Sequence, residues 1–425
     1  MEMLWLIAAL VFLLAIRVPV AFALLLPSLV YVALEDRITV GVALQRVTAL
    51  LDSFPLLAVP LFILVGSVAN AAGLADRLIL ALLAVMGRVK GSLAYVNVNA
   101  SLVFSWMSGS AMADAAALGS VLVPSMRRNG YDPAFAAAIT GAASMLGPVM
   151  PPSIGAVIYA VLTGTSIAEL FAAGVLPALV IFIALCIYVY FYVRRRPGLV
   201  VEPPPRREAV RACFNAIPIL AAPVILLGGI LGGVFTPTEA SGVTVAYLVV
   251  VSLAARWVTL RGLYTAFSES AFTTGQVMLI AAAGGLFSYV LARESVPQHI
   301  ADWLQGVTTN PYLFLLLLNI FLLLVGMILE PAAALLITVP VFFPVAAAYG
   351  VDPVQLGIVV IFNLTIGLLT PPIGLVLYIL SSAGDVPFQD VLRATIPLLI
   401  PLFIALLLIT YIPWLTLFLP DLAGY

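Results

Sequence analysis

The sequence predicts an all-α polytopic membrane protein built as an inverted repeat of two five-helix halves. Three observations predict this fold class: an apolar composition, apolar runs that are interrupted at their middles, and a set of residues that recurs at one spacing. Of the 425 residues, 64% are hydrophobic and 9% are charged, and the mean hydropathy is +1.21. Soluble domains carry about a quarter charged residues. A lipid bilayer must therefore solvate much of this surface.

Ten apolar runs are long enough to cross a bilayer, and we expect one crossing from each. They are 3–34, 54–73, 74–88, 133–163, 170–193, 213–235, 239–259, 271–292, 354–381 and 394–419. The first run pauses at Arg17–Pro19 and then resumes, with no small-residue cleavage site. We therefore expect a retained membrane segment and not a signal peptide. Arg17 either pairs with an acid of a neighbouring subunit or snorkels at a helix break.

Two further stretches, about 91–126 and 310–348, are too long for one crossing and are broken at their middles. The first break is the polar segment Ser105–Ser110, and the second is Gly326–Pro331. Gly, Ser and Pro are poor helix-interior residues, so each stretch is predicted to be a re-entrant hairpin. A turn at that depth is tolerated only when it is buried in protein or lines a wet cavity.

The basic residues indicate which side of the membrane each loop occupies. If both stretches are hairpins, 15 of the 18 Lys and Arg residues, among them Arg37, Arg46 and Arg393, fall on one side. Arg77 and Arg293 fall on the other side, and Arg17 lies within a span. The positive-inside rule makes the rich side cytoplasmic. A cytoplasmic linker, 194–212, then divides the chain into halves 1–193 and 213–425.

The two halves share a pattern of Pro, Gly and Asp residues at a constant offset of 220 positions. The first set is Pro124, Gly130, Asp132, Pro133, Pro151, Pro152 and Pro177, and the second is Pro344, Gly350, Asp352, Pro353, Pro371, Pro372 and Pro397. Each half has five crossings and one hairpin. Because five is odd, the second half is inverted, as in many secondary transporters. Each half also contains a Pro-Pro pair inside a span, which predicts broken helices at 133–163 and 354–381.

The breaks are our candidates for cation sites, because carbonyl groups freed at a helix break suit a dehydrated sodium ion. One site is predicted between the Ser105–Ser110 tip and Gly147–Met150, and the other between Leu324–Glu330 and Gly367–Thr370. The candidate ligands are Ser105, Ser108, Gly109, Gly147, Met150, Gly326, Gly367 and Thr370.

Half-helix N-termini suit an anionic substrate. The candidate substrate-binding residues are Ser110, Asp114, Ser153, Asn363 and Thr370. Ionisable groups inside a membrane usually have a function. For Asp114, ion binding and helix capping are both open. For Glu330, which precedes Pro331, we expect capping.

Other motifs have structural interpretations or exclude functions. Thr236, Pro237 and Glu239 have the form of a capping box, which Ser166 and Glu169 repeat in the other half. The single histidine, His299, excludes His-Glu-x-x-His zinc chemistry and is expected at the surface. The absence of a Gly-Lys pair excludes a phosphate loop for ATP. We expect neither an enzyme nor a nucleic-acid-binding protein, and gradient coupling remains as the energy source.

Across essentially its whole length the chain resembles the large permease subunit of tripartite ATP-independent periplasmic (TRAP) transporters, the DctM-like family. The resemblance rests on Ser108-Gly-Ser-Ala-Met-Ala-Asp114, Pro124-Ser-Met-Arg-Arg-Asn-Gly-Tyr131, Pro151-Pro-Ser153 with Tyr159, Phe235-Thr-Pro-Thr-Glu-Ala240, and Gly367-Leu-Leu-Thr-Pro-Pro-Ile-Gly374.

This resemblance implies a bacterial inner-membrane protein that works with a separate small four-helix membrane subunit and a periplasmic substrate-binding protein. It also implies sodium (Na+) as coupling ion, a small organic acid as substrate, and an elevator-type movement of the hairpins and broken helices. Three alternatives stay open: a self-sufficient sodium–dicarboxylate symporter, a channel or membrane scaffold, and, least favoured, an intramembrane enzyme.

Overall fold

The computed structural model describes residues 2–35, 38–196, 199 and 205–425, and every regular element in these ranges is a helix. The α-helices, numbered in chain order, are α1 (Glu2–Ala15), α2 (Val20–Leu34), α3 (Val40–Ala49), α4 (Ala58–Ala71), α5 (Leu74–Met86), α6 (Ser92–Ser108), α7 (Ala111–Arg128), α8 (Pro133–Ser144), α9 (Ile154–Thr163), α10 (Ile167–Arg194), α11 (Arg206–Leu231), α12 (Pro237–Ala254), α13 (Leu260–Arg293), α14 (Val296–Val307), α15 (Pro311–Gly326), α16 (Pro331–Ala348), α17 (Pro353–Gly367), α18 (Leu375–Gly384), α19 (Phe388–Tyr411) and α20 (Trp414–Ala423). Within the described ranges, seven helices are long and apolar enough to cross a membrane. The prediction of an all-α polytopic membrane protein is confirmed.

The first apolar run forms two helices and not the single crossing that the sequence predicted. Arg17 has φ 66°, the left-handed region, which for a residue other than glycine ends a helix. The Val18 N–H donates to Leu13 O and the Arg17 N–H to Leu14 O, both at 3.0 Å, which is the Schellman pattern of a helix C-terminus. Pro19 then precedes α2, which packs back against α1.

Two contacts correct the predicted sides of the membrane. Arg293 Nη2 lies 3.3 Å from Glu35 Oε1, and the Arg46 guanidinium lies 4.7 Å from the centre of the Tyr289 ring. Arg46 and Arg293 are therefore at the same end of α13, although the sequence placed them on opposite sides. The error follows from treating 3–34 as one crossing. Arg37 and most of the predicted linker between Pro197 and Pro204 lie outside the described residues.

The predicted hairpins and broken helices correspond to helix pairs. The 91–126 stretch contains α6 and α7, and the 310–348 stretch contains α15 and α16. The 133–163 run contains α8 and α9 with residues 145–153 between them, and the 354–381 run contains α17 and α18 with 368–374 between them. Both Pro-Pro peptide bonds, Pro151–Pro152 and Pro371–Pro372, are cis.

The helices pack as two groups, and each broken helix connects the halves of the chain. Helices α2–α5 and α11–α13 pack on one another, as do α6–α10 and α15–α20. In the second group, α9 packs on α16 and α18 packs on α7 and α8, so each contact joins the two halves. The buried Tyr159 hydroxyl of α9 also donates to Pro353 O at 2.6 Å. The groups meet where α4 and α5 contact α6 and where α13 contacts α16.

Candidate functional site

The tip of the first hairpin holds a buried carboxylate that has a free oxygen. Gly109 ends α6 with φ 60°, and the Ser110 hydroxyl caps α7 by accepting from the Ala113 N–H at 3.5 Å. The Ser108 hydroxyl donates to Asp114 Oδ1. Asp114 is fully buried, and its Oδ2 has no hydrogen-bond partner among the described residues. Ser110, and not Asp114, is therefore the N-cap residue, whereas Asp114 lies in the first turn of α7.

The first tip lies directly against the first break. A Cβ atom on Gly109 would lie 2.7 Å from Pro152 O, and a Cβ atom on Gly147 would lie 2.6 Å from Asp114 Oδ2. Gly109 has a left-handed backbone and meets a backbone oxygen, so this position requires glycine. At Gly147 an added Cβ atom would displace the Asp114 carboxylate and would lie 3.1 Å from the Ser110 carbonyl carbon.

The remaining candidates of the first site are held by local hydrogen bonds. The Ser153 hydroxyl caps α9 by accepting from the Ala156 N–H at 3.1 Å, and it donates to Pro148 O across the break. The Ser105 hydroxyl donates to Leu102 O at 2.6 Å, within its own helix. Met150 is buried, and its N–H donates to Leu146 O at 2.8 Å. Their roles as cation or substrate ligands stay predictions.

In the second half, the tip and the break are in backbone contact. A Cβ atom on Gly367 would overlap the carbonyl carbon of Gly326, and one on Gly326 would lie 2.7 Å from Leu364 O. The Thr370 hydroxyl donates to Ile366 O at 2.9 Å. Both hairpins therefore approach their broken helices closely at glycines, and in the second half the two glycines face each other.

Asn363, a candidate for substrate binding, lies in the protein interior. Its side-chain amide donates to Asn319 Oδ1 at 2.6 Å and to Asn319 O at 2.9 Å. Both residues are buried. Asp114, Ser153 and Thr370 lie at the tips and breaks, Asn363 lies one turn before the second break, and Ser110 also lines the cavity described next.

A cavity of about 270 Å³ lies between the two helix groups. It is bounded by both hairpin tips, by the first break, and by α4 and α13. Its polar lining residues are Ser67, Asn70, Ser108, Ser110, Glu269, Thr273 and Glu330. Ala111 and Pro331, the first residues of α7 and α16, line it as well, so two helix N-termini reach the cavity. No Lys or Arg is among the described residues that line it.

Glu330 is positioned differently from the sequence expectation. It occupies the residue before α16, but its side chain makes no capping hydrogen bond. The expected capping role is wrong. Pro331 occupies the first helical position, where its missing N–H leaves no donor unsatisfied. The side chain lines the cavity.

Four polar residues of the cavity, Ser67, Asn70, Glu269 and Thr273, were missed by the sequence analysis. The predicted run began at residue 271, but α13 begins at Leu260, where Thr259 accepts from the Gly262 N–H at 3.1 Å. Thr259 is the signal that would have placed Glu269 inside a helix.

The cap motifs lie away from the cavity. Thr236 and Glu239 form a reciprocal capping box with Pro237 at the first helical position, and Ser166 accepts from the Glu169 N–H at 3.3 Å. His299 is exposed, as expected. Within the described residues, no cluster of His, Cys, Asp and Glu could hold a transition metal.

Comparisons with known proteins agree with this architecture. Residues 7–415 match the family described as "Tripartite ATP-independent periplasmic transporter, DctM component". The chain is 42% identical to the sialic acid TRAP transporter large permease protein SiaM of Vibrio cholerae, over 96% of each chain. It is 40% identical to the C4-dicarboxylate TRAP transporter large permease protein DctM of Pseudomonas aeruginosa, over 88% of each chain.

Among solved structures, the YdaH transporter of Alcanivorax borkumensis has a similar fold. The TM-score is 0.66 at 16% sequence identity, covering 93% of this chain and 96% of that one. The sequence and structure comparisons together place the chain among multi-pass membrane transporters and not among enzymes. The chain belongs to the DctM component family of tripartite ATP-independent periplasmic transporters.

Proposed function

We propose that this chain is the large membrane subunit of a sodium-gradient-driven importer of small organic acids in the bacterial inner membrane. It acts with a small four-helix membrane subunit and a periplasmic substrate-binding protein. The observation that carries this proposal is the cavity between the two helix groups, which both hairpin tips and two helix N-termini reach.

The arrangement at the tips supports cation binding. The first cation site lies between the Ser108–Ser110 tip and Gly147, where Asp114 Oδ2 is buried without a partner. A buried carboxylate oxygen that lacks a donor is costly unless a cation or proton joins it. The second site lies between Gly326 and Gly367, whose backbones are in contact. Sodium suits such oxygen-rich sites at helix breaks.

The cavity supports an acid as substrate, although none of its described lining residues is Lys or Arg. Helix N-termini carry partial positive charge, and α7 and α16 both begin at the cavity wall. Bound sodium would add positive charge close to them. Such a cavity suits a carboxylate, and the names of the relatives refer to sialic acid and C4-dicarboxylates.

The packing supports an elevator-type movement. The hairpins and broken helices pack together across the two halves, and α2–α5 and α11–α13 form a separate group. Movement of the group that contains the hairpins and broken helices along the group formed by α2–α5 and α11–α13 would carry the cavity contents past α4 and α13. Gly66 of α4 fits this movement, because a Cβ atom there would lie 3.4 Å from the Ser108 backbone.

The test is uptake of labelled carboxylates by liposomes that contain this chain, the small subunit and the binding protein. We expect uptake that requires an inward sodium gradient and stops when the binding protein is omitted. Uptake that is independent of sodium would refute the coupling. Uptake by this chain alone would refute the requirement for partners.

A further inference from the structure

Two buried pairs of polar side chains, one in each half, connect a hairpin to the broken helix of the same half. In the first half, the Asn97 amide of α6 donates to Thr140 Oγ1 of α8 at 2.7 Å and to Met126 Sδ of α7 at 3.5 Å. In the second half, the Asn363 amide of α17 donates to Asn319 Oδ1 of α15 at 2.6 Å. We name these pairs, Asn97–Thr140 and Asn319–Asn363, the first and the second clasp.

The second clasp extends to a further helix. The Asn319 amide donates to Thr410 Oγ1 of α19 at 3.1 Å, and Gln355 Nε2 of α17 donates to Thr410 O at 2.8 Å. The four side chains of the clasps are 0%, 0%, 6% and 0% exposed in chain order. None lines the cavity, so the clasps are not ligands of its contents.

The clasps occupy equivalent places in the two halves. Each connects the first helix of a hairpin to the first segment of a broken helix, at a distance from the tip and the break. Asn97 precedes Ser108 by 11 residues, and Asn319 precedes Gly326 by seven. At about 1.5 Å per residue, the first clasp lies about 16 Å from its hairpin tip and the second about 10 Å. We call these distances the lever arms of the clasps.

Hydrogen bonding in the clasps is incomplete, which argues against the idea that the clasps serve to stabilise the fold. Asn97 Oδ1 and Asn363 Oδ1 are buried without a partner among the described residues. Replacing both members of a buried polar pair by apolar groups of similar shape is often neutral or stabilising. A Leu–Val pair would therefore pack between α6 and α8 at least as favourably as Asn97–Thr140.

We propose that the clasps are positioning devices that fix each hairpin tip against its break, so that the glycine-lined cation sites keep their geometry. This inference rests on the proposed function for the cation sites. A tilt of about 4° at the first clasp would displace the first tip by about 1 Å over its lever arm. Metal sites tolerate displacements of only about 0.2 Å in their ligand distances. Asn97, Thr140, Asn319 and Asn363 are thus positioning residues for cation binding.

The first clasp can be removed with side chains of the same branching and heavy-atom number, or exchanged for another form. Thr140→Val removes the acceptor with the same shape, and Asn97→Leu with Thr140→Val removes the whole pair. Thr140→Asn converts the first clasp into the amide–amide form of the second. Ser252→Ala in α12, which removes a buried hydroxyl that has no partner among the described residues, is the control.

We expect the Val and Leu–Val variants to raise the sodium concentration for half-maximal uptake by about tenfold, the lower range for loss of an outer-shell partner. Thr140→Asn and Ser252→Ala should stay within about twofold of the unmodified complex. The melting temperature of the Leu–Val variant should equal or exceed that of the unmodified complex.

Hydrogen exchange of the tip residues 105–113 in sodium-containing buffer gives a second result that does not depend on transport. We expect faster exchange there in the Leu–Val variant and unchanged exchange in Thr140→Asn. An unchanged sodium response with unchanged exchange at the tip would overturn the inference. A melting temperature that falls together with uptake would also overturn it, because the clasp would then be structural. Sodium-independent uptake by the unmodified complex would refute the proposed function. Hydrogen exchange at residues 105–113 would still test the role of the clasp in that case.

Discussion

Replacing Gly147 by alanine adds one methyl group between the first break and the first hairpin tip. The new Cβ atom would lie 2.6 Å from Asp114 Oδ2 and 3.1 Å from the carbonyl carbon of Ser110. Ordinary contacts of this kind begin at 3.4 Å, so the carboxylate oxygen must retreat by 0.8 Å (3.4 − 2.6). Asp114 is fully buried and the tip is packed, so part of this movement must be taken by the backbone of the tip.

The energetic consequence follows from the cost of overpacking. Forcing an extra methyl group into a packed interior costs about 1–3 kcal/mol. If binding of the cation requires the unshifted tip, the affinity for sodium falls by about 5- to 150-fold, since 1.4 kcal/mol is a factor of ten. We therefore expect Gly147→Ala to raise the half-maximal sodium concentration for uptake by at least about fivefold.

The assay is a sodium titration of uptake by the reconstituted complex at a fixed substrate concentration. Gly228→Ala in α11 is the matched control, because a Cβ atom there would meet nothing within 4 Å. A sodium response of Gly147→Ala equal to that of Gly228→Ala would refute the reasoning that places a cation beside Asp114.

Three further predictions concern the cavity and the helix ends. Glu330 lines the cavity, and its side chain makes no capping hydrogen bond. Glu330→Gln should therefore change the free energy of unfolding by no more than about 0.5 kcal/mol and reduce uptake at least about tenfold. A large loss of stability would show that the carboxylate is structural. A large side chain at Gly66 should obstruct the first tip, so Gly66→Leu should slow turnover while Gly66→Ala, at 3.4 Å from the Ser108 backbone, stays near normal. Equal uptake rates for the two variants would contradict a close passage of α4. Because Arg17 holds a left-handed backbone, Arg17→Gly should raise the free energy of unfolding by about 1 kcal/mol in thermal denaturation; a lower melting temperature would assign a stabilising contact to the arginine side chain.

Features that depend on a few neighbouring residues could be predicted from the sequence. The hairpin tips and the breaks between α8 and α9 and between α17 and α18 follow from Gly, Ser and Pro residues, which act within one helical turn. The capping box at Thr236 and the cap at Ser166 are local in the same sense. The cap at Ser110 is equally local, but the sequence analysis did not predict it.

Features that depend on the pairing of distant helices could not be predicted from the sequence. Asn97 meets Thr140 across 43 residues, and Asn319 meets Asn363 across 44, and no local pattern indicates either contact. The chain reversal at Arg17 was not predicted for a different reason. A hydropathy run measures how apolar a segment is but not its direction, so 3–34 was taken as one crossing. Glu269 was missed because its polar neighbours hid the start of α13 from a search by hydropathy.

The packing of α9 and α18 on the opposite half of the chain has a consequence for biosynthesis. The Tyr159 hydroxyl of α9 meets Pro353 O, which leaves the ribosome 194 residues later. At about 5–20 residues per second, α9 spends about 10–40 s in the membrane before α17 is made. The first half therefore enters the bilayer before α16 and α17, on which α9 packs, have been made. The final assembly of the protein must follow insertion of both halves.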